Sequence, residues 1–388
     1  MRRIAILGAT GSIGRAAIEV AERFPDRLRI VGLAARRLTP DLVSLVGRTR
    51  ASVLALTETP VSSSLKEQLP PDVELYTGSD GLAELAVRED LDLVLVAVVG
   101  IAGLAPVLAA LKKGKIVALA TKEALVAGGD LVRQAARAGN GRLLPVDSEH
   151  SAIFQCLEGR DLNTVRRILL TASGGPFRGL LPDEMSAVSV AQALAHPTWK
   201  MGPKITVDCA TLMNKALEIV EAHFLFGLAA ERIEVVIHPQ SIVHSLVEFS
   251  DGAMLAQLSL PDMRLPIQTA LLYPERLPSL VPPLELAGVG VLTFHPPDTC
   301  KFPAISLAYQ ALRAGGTTPA VLSAVDEVAV GLFLKGKLPF GRIVPLVRQV
   351  METHAPNRAT SLDVIMAADR WARQETLRLA GFAKEEQA

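Results

Sequence analysis

Arg3-Ile4-Ala5-Ile6-Leu7-Gly8-Ala9-Thr10-Gly11-Ser12-Ile13-Gly14 opens the chain with an apolar run, a turn with glycines three residues apart, and a helical pattern reaching about Phe24. Glycines at this spacing let a backbone turn tightly and approach a pyrophosphate, which sits at a helix N-terminus among free N–H groups. An ordinary glycine-rich strand-to-helix turn is the alternative, and the position between the first strand and first helix favours the nucleotide. The second apolar run ends at Ala34-Ala35-Arg36-Arg37. Sites that prefer NAD place an acid near this point for the ribose 2′-hydroxyl. Two arginines suit a 2′-phosphate instead, so the expected cofactor is NADPH, a solvated basic strand end being the alternative.

Outward from that turn, short apolar runs recur at Leu28–Ala35, Ser52–Leu56, Leu91–Val98, Lys115–Ala120 and Arg142–Val146, with helical segments between most of them. This alternation predicts an α/β domain over residues 1–147 with a mostly parallel, Rossmann-like sheet. The pattern over 148–272 changes to mixed strands and helices, an α+β catalytic domain. Strands are expected at Arg166–Ala172, Ile205–Asp208, Ile233–His238, Ile242–Phe249 and Ala253–Leu260, the last two joined by the hairpin turn Ser250-Asp251-Gly252. Prolines at 274, 278, 282, 283, 296, 297 and 303 make 273–302 an extended linker. Residues 303–388 read as a helical bundle, with Ser361 capping the last long helix, Gly381 after it, and a polar tail Lys384–Ala388.

Composition excludes several classes. The chain has 388 residues, 49% of them hydrophobic, enough to bury several cores. Forty Lys and Arg balance forty Asp and Glu, so the basic excess of a nucleic-acid binder is missing. Three cysteines, never in a Cys-x-x-Cys arrangement, argue against a disulfide framework or zinc ribbon, and a cytoplasmic location is expected. Leu93–Leu111 is uncharged over nineteen residues, but Gly100, Gly103 and Pro106 divide it into a strand, a turn and a short helix, so no membrane span is expected.

Candidate chemistry lies in five segments. Asp147-Ser148-Glu149-His150 follows an apolar run, and if extended it points both carboxylates one way, a hard-oxygen pair suited to Mg²⁺ or Mn²⁺. On a helix, Asn214, Glu218 and Glu221 share one face beside Lys215, opposite Met213, Leu217, Val220 and Phe224; spacing alone makes that face a solvated one. Ser173-Gly174-Gly175-Pro176-Phe177 offers a hydroxyl and amides to an anion, or is a plain turn. His196-Pro-Thr-Trp199-Lys-Met201-Gly202-Pro-Lys204 has the make-up of a mobile lid, and equally of a surface loop. His238 and His244 read by default as structural histidines.

Together these segments resemble the 1-deoxy-D-xylulose 5-phosphate reductoisomerases over essentially the whole chain. The resemblance rests on GATGSIG, LLPVDSEHSAIFQ, ASGGPFR, HPTWKMGPKITVD, ATLMNKALE, HPQSIVHS and PDMRLPI, in that order. It implies a homodimer that converts a phosphosugar, 1-deoxy-D-xylulose 5-phosphate, to 2-C-methyl-D-erythritol 4-phosphate. NADPH and a divalent cation (Mg²⁺, Mn²⁺ or Co²⁺) would be required, and no nucleic acid or membrane. Asp147, Glu149 and Glu218 match metal ligands. Ser173, Asn214 and Lys215 match holders of the phosphate and hydroxyls. Lys122 and Ser148 match substrate-contacting positions, and His196, Trp199 and Met201 the closing loop. Ser241, His244 and Met263 fall in motifs near the site. The resemblance assigns catalysis to Lys122, Glu149, His196, Trp199 and Lys215, and substrate contact to Glu149, Cys209 and Glu218 as well. Cofactor contacts are implied at Gly8, Thr10, Gly11, Ser12, Ile13, Gly14, Arg36, Arg37, Ala97, Gly100, Thr121, Lys122, Glu123, Gly202 and Met263.

Three positions depart from the family pattern. Ala9 replaces a usual Ser, keeping the small size that the turn needs. Thr121 replaces an Asn before Lys122 and has shorter reach. Cys209 stands where a phosphate-binding Ser is usual, and a thiol is a poor donor. Two other functions fit the N-terminal turn: an NADP-dependent semialdehyde dehydrogenase with Cys209 as nucleophile, and a catalytically silent NADPH sensor. The acidic pair and the Asn-Lys-x-x-Glu helix weigh against both.

Overall fold

The computed structural model describes residues 1–58, 67–78, 80–199 and 201–382; the expected polar tail lies outside them. The chain divides into two units. The first comprises Met1–Ala124, Leu131–Ser151 and Asp262–Pro282, and the second Leu125–Asp130, Ala152–Pro261 and Pro283–Ala388.

The first unit is built on seven parallel strands: β1 (Arg2–Leu7), β2 (Leu28–Ala35), β3 (Val53–Leu56), β4 (Glu74–Thr77), β5 (Leu93–Val96), β6 (Ile116–Leu119) and β7 (Arg142–Pro145). Their spatial order is β4-β3-β2-β1-β5-β6-β7, so the chain reverses its direction of travel between β1 and β5. β3 and β5 are buried at every residue, as the uninterrupted apolar runs require of a sheet covered on both faces. β4 escapes the sequence reading because it is a half-exposed edge strand of four residues without an apolar run. The Arg264–Leu272 helix belongs here because it packs beside the Ser12–Arg23 helix, and Arg2 donates to Leu271 O (2.6 Å) and Tyr273 O (2.9 Å).

The second unit carries a mixed sheet in the order β11-β10-β8-β9, from β8 (Val165–Ala172), β9 (Ile233–Ile237), β10 (Val243–Phe249) and β11 (Met254–Leu258). The Pro203–Thr211 and Met213–Phe226 helices follow one another with only Leu212, at φ +60°, between them. The strand expected at Ile205–Asp208 is therefore a helix: Pro203 fits a first helical turn, and the short apolar run was too brief to fix a period. Residues 304–314, 318–334, 343–353 and 362–379 form the expected C-terminal helices, and Ser361 Oγ accepts from Val364 N at the last cap. Between 273 and 302 there is one helical turn, Leu286–Val289, and a bridge from His295 to Ile237. Among the described residues no helix is long and apolar enough to cross a membrane.

Candidate active site

In the first unit the glycine turn leaves β1 at its carboxyl end. Gly8 takes φ +96°, and the N–H groups of Gly8 and Ala9 both donate to Ala34 O at 2.9 Å. A Cβ on Gly8 would stand 2.4 Å from Ala97 O, and one on Gly14 would stand 2.3 Å from Gly8 O. Both positions therefore require glycine. Gly11 does not: its nearest neighbour to a Cβ would be 3.4 Å away. Gly11 begins the Ser12–Arg23 helix without a side-chain cap, so no side chain competes for the amides of Ser12 and Ile13, and Thr10 O accepts from Arg15 Nε. Opposite, the loop leaving β5 starts at Ala97, whose N–H donates to Leu7 O (2.8 Å), and turns at Gly100, φ +67°. These loops flank the reversal between β1 and β5, where open α/β sheets bind ligands.

Arg36 and Arg37 follow β2 with side chains 82% and 74% exposed. Glu58, just past β3, lies 2.9 Å from Arg37 and 3.7 Å from Arg36. Sequence reading looked for an acid only along the second strand and missed this one from the third. Thr121 is buried, and its hydroxyl donates to Val98 O at 2.5 Å, so it is already engaged with backbone.

Lys122 and Asp147 meet because β6 and β7 are neighbours and each residue follows its strand. Lys122 Nζ stands 2.5 Å from Asp147 Oδ2, with the two side chains 7% and 13% exposed. Ser148 Oγ donates to Glu149 Oε2 at 2.6 Å. Glu149 lies in the first turn of the Ser148–Leu157 helix. The acidic pair thus does not converge through strand alternation, as expected from sequence. The strand ends at Pro145, and the helix start turns Glu149. Glu123 opens the Lys122–Gly139 helix, and Met263 precedes the Arg264–Leu272 helix.

In the second unit, Gly175 adopts φ +67°, and a Cβ there would stand 2.6 Å from Cys209 O, so the Ser173-Gly174-Gly175 turn abuts the Pro203–Thr211 helix at Cys209. Ser173 Oγ is 3.0 Å from His196 Nε2 and accepts from Gly175 N. His196 Nδ1 accepts from Thr198 N (3.2 Å) and Trp199 N (2.9 Å), so the neutral ring carries its proton on Nε2 and donates it to Ser173. Burial lowers the pKa of His196 and favours that neutral form. The Trp199 ring meets His244 edge-on at 6.2 Å. Burial pushes His244 down to about 4. Met201 is half-buried and Gly202 exposed. Ser241, at φ +53°, donates its N–H to His238 O. His238 is structural: it bonds Thr293 O through Nδ1 and accepts from Ile242 N and Val243 N.

The Met213–Phe226 helix overturns the solvated-face expectation. Lys215, Glu218 and Glu221 are all buried, with Glu218 wholly so. Glu218 accepts from Lys215 Nζ, and from Asn214 Nδ2 at 2.5 Å. A polar stripe at helical spacing looks alike whether water or protein covers it. Here protein covers it.

The 1-deoxy-D-xylulose 5-phosphate reductoisomerase model matches residues 4–129. Its C-terminal domain matches 143–226, and a further DXP reductoisomerase C-terminal domain matches 258–375. The chain belongs to this family. It is 52% identical over 375 residues to the reductoisomerase of Pelotomaculum thermopropionicum, covering 96% of this chain and 97% of the relative. It superposes with a TM-score of 0.92 on the reductoisomerase from Zymomonas mobilis in complex with NADPH, at 41% identity and over 98% and 99% of the two chains. A DOX-P reductoisomerase in complex with NADPH, fosmidomycin and magnesium gives 0.90 at 38% identity, over 99% and 100%. As a reductoisomerase, the chain also bears out the expected α/β class and the resemblance read from its motifs.

Proposed function

We propose that this chain carries out the reductoisomerase reaction, the NADPH- and divalent-metal-dependent conversion of 1-deoxy-D-xylulose 5-phosphate to 2-C-methyl-D-erythritol 4-phosphate. The observation that carries this reading is family membership along the whole chain, with Asp147, Glu149, Asn214, Lys215 and Glu218 all present. Solved relatives contain NADPH and magnesium.

The residues fit both groups. Gly8 and Gly14 form a turn that any Cβ would obstruct, and Ser12 and Ile13 offer amides to a pyrophosphate. Ala97, Gly100, Thr121, Glu123, Gly202 and Met263 complete the cofactor contacts, with Arg36 and Arg37 at the 2′-phosphate. Asp147, Glu149 and Glu218 are the ligands of one divalent cation, since three carboxylates are a hard donor set suited to Mg²⁺ or Mn²⁺. When bound, the cation supplies Lewis acidity to adjacent substrate oxygens, and NADPH supplies hydride.

The chain's own groups do the positioning. Lys122 pairs with Asp147 and holds that carboxylate in place for its ligand role. Lys215 and Asn214 donate to Glu218 and present donors to substrate oxygens. Ser173, freed from His196, holds phosphate with Ser241 and the backbone beside Cys209. Ser148 orients Glu149. His196, Trp199 and Met201 close over the substrate and exclude water while its fragments are reactive. Residues 1–147 serve the cofactor, 148–272 catalysis and dimerisation, 273–302 linkage, and 303–388 support. A homodimer is supported by β11, an edge strand with Met254 exposed. The enzyme works in the cytoplasm.

NADPH oxidation dependent on 1-deoxy-D-xylulose 5-phosphate, abolished by EDTA and restored by Mn²⁺, is the expected result. Turnover insensitive to the chelator would favour a cysteine-based dehydrogenase instead, and turnover that survives thiol blocking would exclude it.

A further inference from the structure

One charge cluster in the second unit has no part in the reaction described above. Lys204 Nζ lies 2.6 Å from Asp208 Oδ2, one turn along its own helix, and 2.8 Å from Asp326 Oδ2 on the Thr318–Leu334 helix. The Asp326 side chain is wholly buried, and its Oδ1 has no hydrogen-bond partner. Burying a carboxylate is unfavourable even when it is paired, and apolar side chains of similar volume often hold two helices together as well or better. Helix packing alone does not call for this arrangement.

Its place in the chain suggests what does. Lys204 is the second residue of the Pro203–Thr211 helix, immediately beyond the segment carrying His196, Trp199 and Met201. The near end of that segment is tied down by His196 Nε2 on Ser173 Oγ. At the far end, Thr206 N and Oγ1 both donate to Gly202 O, which fixes the helix start. A Cβ on Gly202 would touch nothing within 4 Å, so open space lies beside the chain there. The ion pair is a long-range side-chain tie at that end, reaching into the C-terminal helices 122 residues away.

We propose that Asp326 is a positioning residue for the reaction. By gripping Lys204 it sets the far hinge of the lid, so that closure brings Trp199 and Met201 to the substrate in one register. This inference rests on the lid reading given under the proposed function. A charged tie suits the task because it fixes the lysine's end point while its flexible stem allows the first helical turn to rock.

The test uses the full-length enzyme with Trp371→Phe, which leaves Trp199 as the single tryptophan. Asp326→Asn and Lys204→Met are each compared with Lys204→Arg. The readouts are kcat, the KM for each substrate, melting temperature, and Trp199 emission with and without 1-deoxy-D-xylulose 5-phosphate, Mn²⁺ and NADP⁺. Asp326→Asn and Lys204→Met should raise the sugar-phosphate KM at least tenfold and diminish the emission change on ligand binding. Lys204→Arg should stay within threefold of the parent. A lower melting temperature with unchanged sugar-phosphate KM and emission response would make the cluster merely structural and overturn the inference. Should Asp326→Asn not fold, Lys204→Met, at the less buried partner, decides by the same readouts. A parent enzyme without substrate-dependent turnover would overturn the functional reading and this inference together; an active parent with indifferent variants overturns the inference alone.

Discussion

The Gly8–Gly14 turn and the Asn214–Glu218 turn are both suited to ligands, yet they are made of different material. The first is backbone. Gly8 and Gly14 contribute only the absence of a Cβ, and the binding groups are amides that every residue has. The second is side chain: a buried lysine, an amide and a buried carboxylate that satisfy one another. A backbone site is specified by sterics over a few consecutive residues. A buried polar site is specified by whatever surrounds it, and losing one member strands the others.

The largest effect should come from that stranding. Glu218→Gln preserves volume but removes an anionic ligand and the charge of the carboxylate that accepts from the buried Lys215. We expect kcat/KM to fall on the order of a thousand-fold, roughly 4 kcal/mol, and calorimetric Mn²⁺ affinity to fall with it. NADPH affinity should hold, because the cofactor turn is built from other residues. Unchanged Mn²⁺ affinity would remove Glu218 from the ligand set.

The glycine turn offers a sharper, internal contrast. Gly14→Ala sets a Cβ 2.3 Å from the carbonyl oxygen of Gly8, a backbone atom that cannot step aside. Overpacking of this kind destabilises by about 1–3 kcal/mol, and it pushes the turn out of register for a pyrophosphate. The NADPH KM should rise roughly tenfold to a hundredfold, again about 1.4–2.8 kcal/mol. Gly11→Ala meets its nearest neighbour at 3.4 Å and should leave the fold intact. Equal effects from the two variants would mean that flexibility, not space, is what the glycines supply.

The same contrast explains what could be read from sequence. The sheet was legible because β1, β3 and β5 are apolar runs with a strand's length, and the turn after β1 because glycine spacing reports sterics directly. Ile205–Asp208 misled because four residues cannot separate a period of two from one of 3.6. The acidic pair was found by composition but for the wrong local reason, since the chain enters a helix at Ser148. Burial of Glu218 and Glu221 was illegible in principle: it depends on elements far off in the chain. The family motif, not periodicity, pointed to Glu218.

A smaller effect concerns pH in the side-chain region. His244, lowered to about 4 by burial, stays neutral in the fold, whereas in the unfolded chain it protonates near 6.5. As pH falls below 6.5 the unfolded state takes up the proton first. The stability present above 6.5 is therefore lost between 6.5 and 4, by up to roughly 3 kcal/mol. His196 and His354, also lowered by burial, lose stability in the same direction. Thermal melts at pH 7 and pH 4.5 should show a smaller gap for His244→Gln than for the wild type. An identical gap would mean that His244 is solvated, and its contact with Trp199 loose.

The smallest effect is at the rim of the backbone-built site, where it becomes a side-chain site. Arg36 and Arg37 should favour NADPH over NADH by roughly ten- to a hundredfold, because a charge-assisted hydrogen bond contributes about 1.5–3 kcal/mol. Both are exposed, however, and both share Glu58. Glu58 can act in two ways. As a competitor it occupies guanidinium donors and repels the 2′-phosphate; as a brace it holds Arg37 in place. Exposed pairs contribute little, so the competitor role should prevail. Glu58→Gln should then widen the NADPH preference by about two- to fivefold, while Arg37→Ala narrows it by about tenfold. The measurement is the ratio of kcat/KM for the two cofactors at fixed ionic strength. A narrower ratio in Glu58→Gln would reverse the assignment. Even this exposed corner would then depend on a side-chain partner, as Lys215 and Glu218 depend on each other.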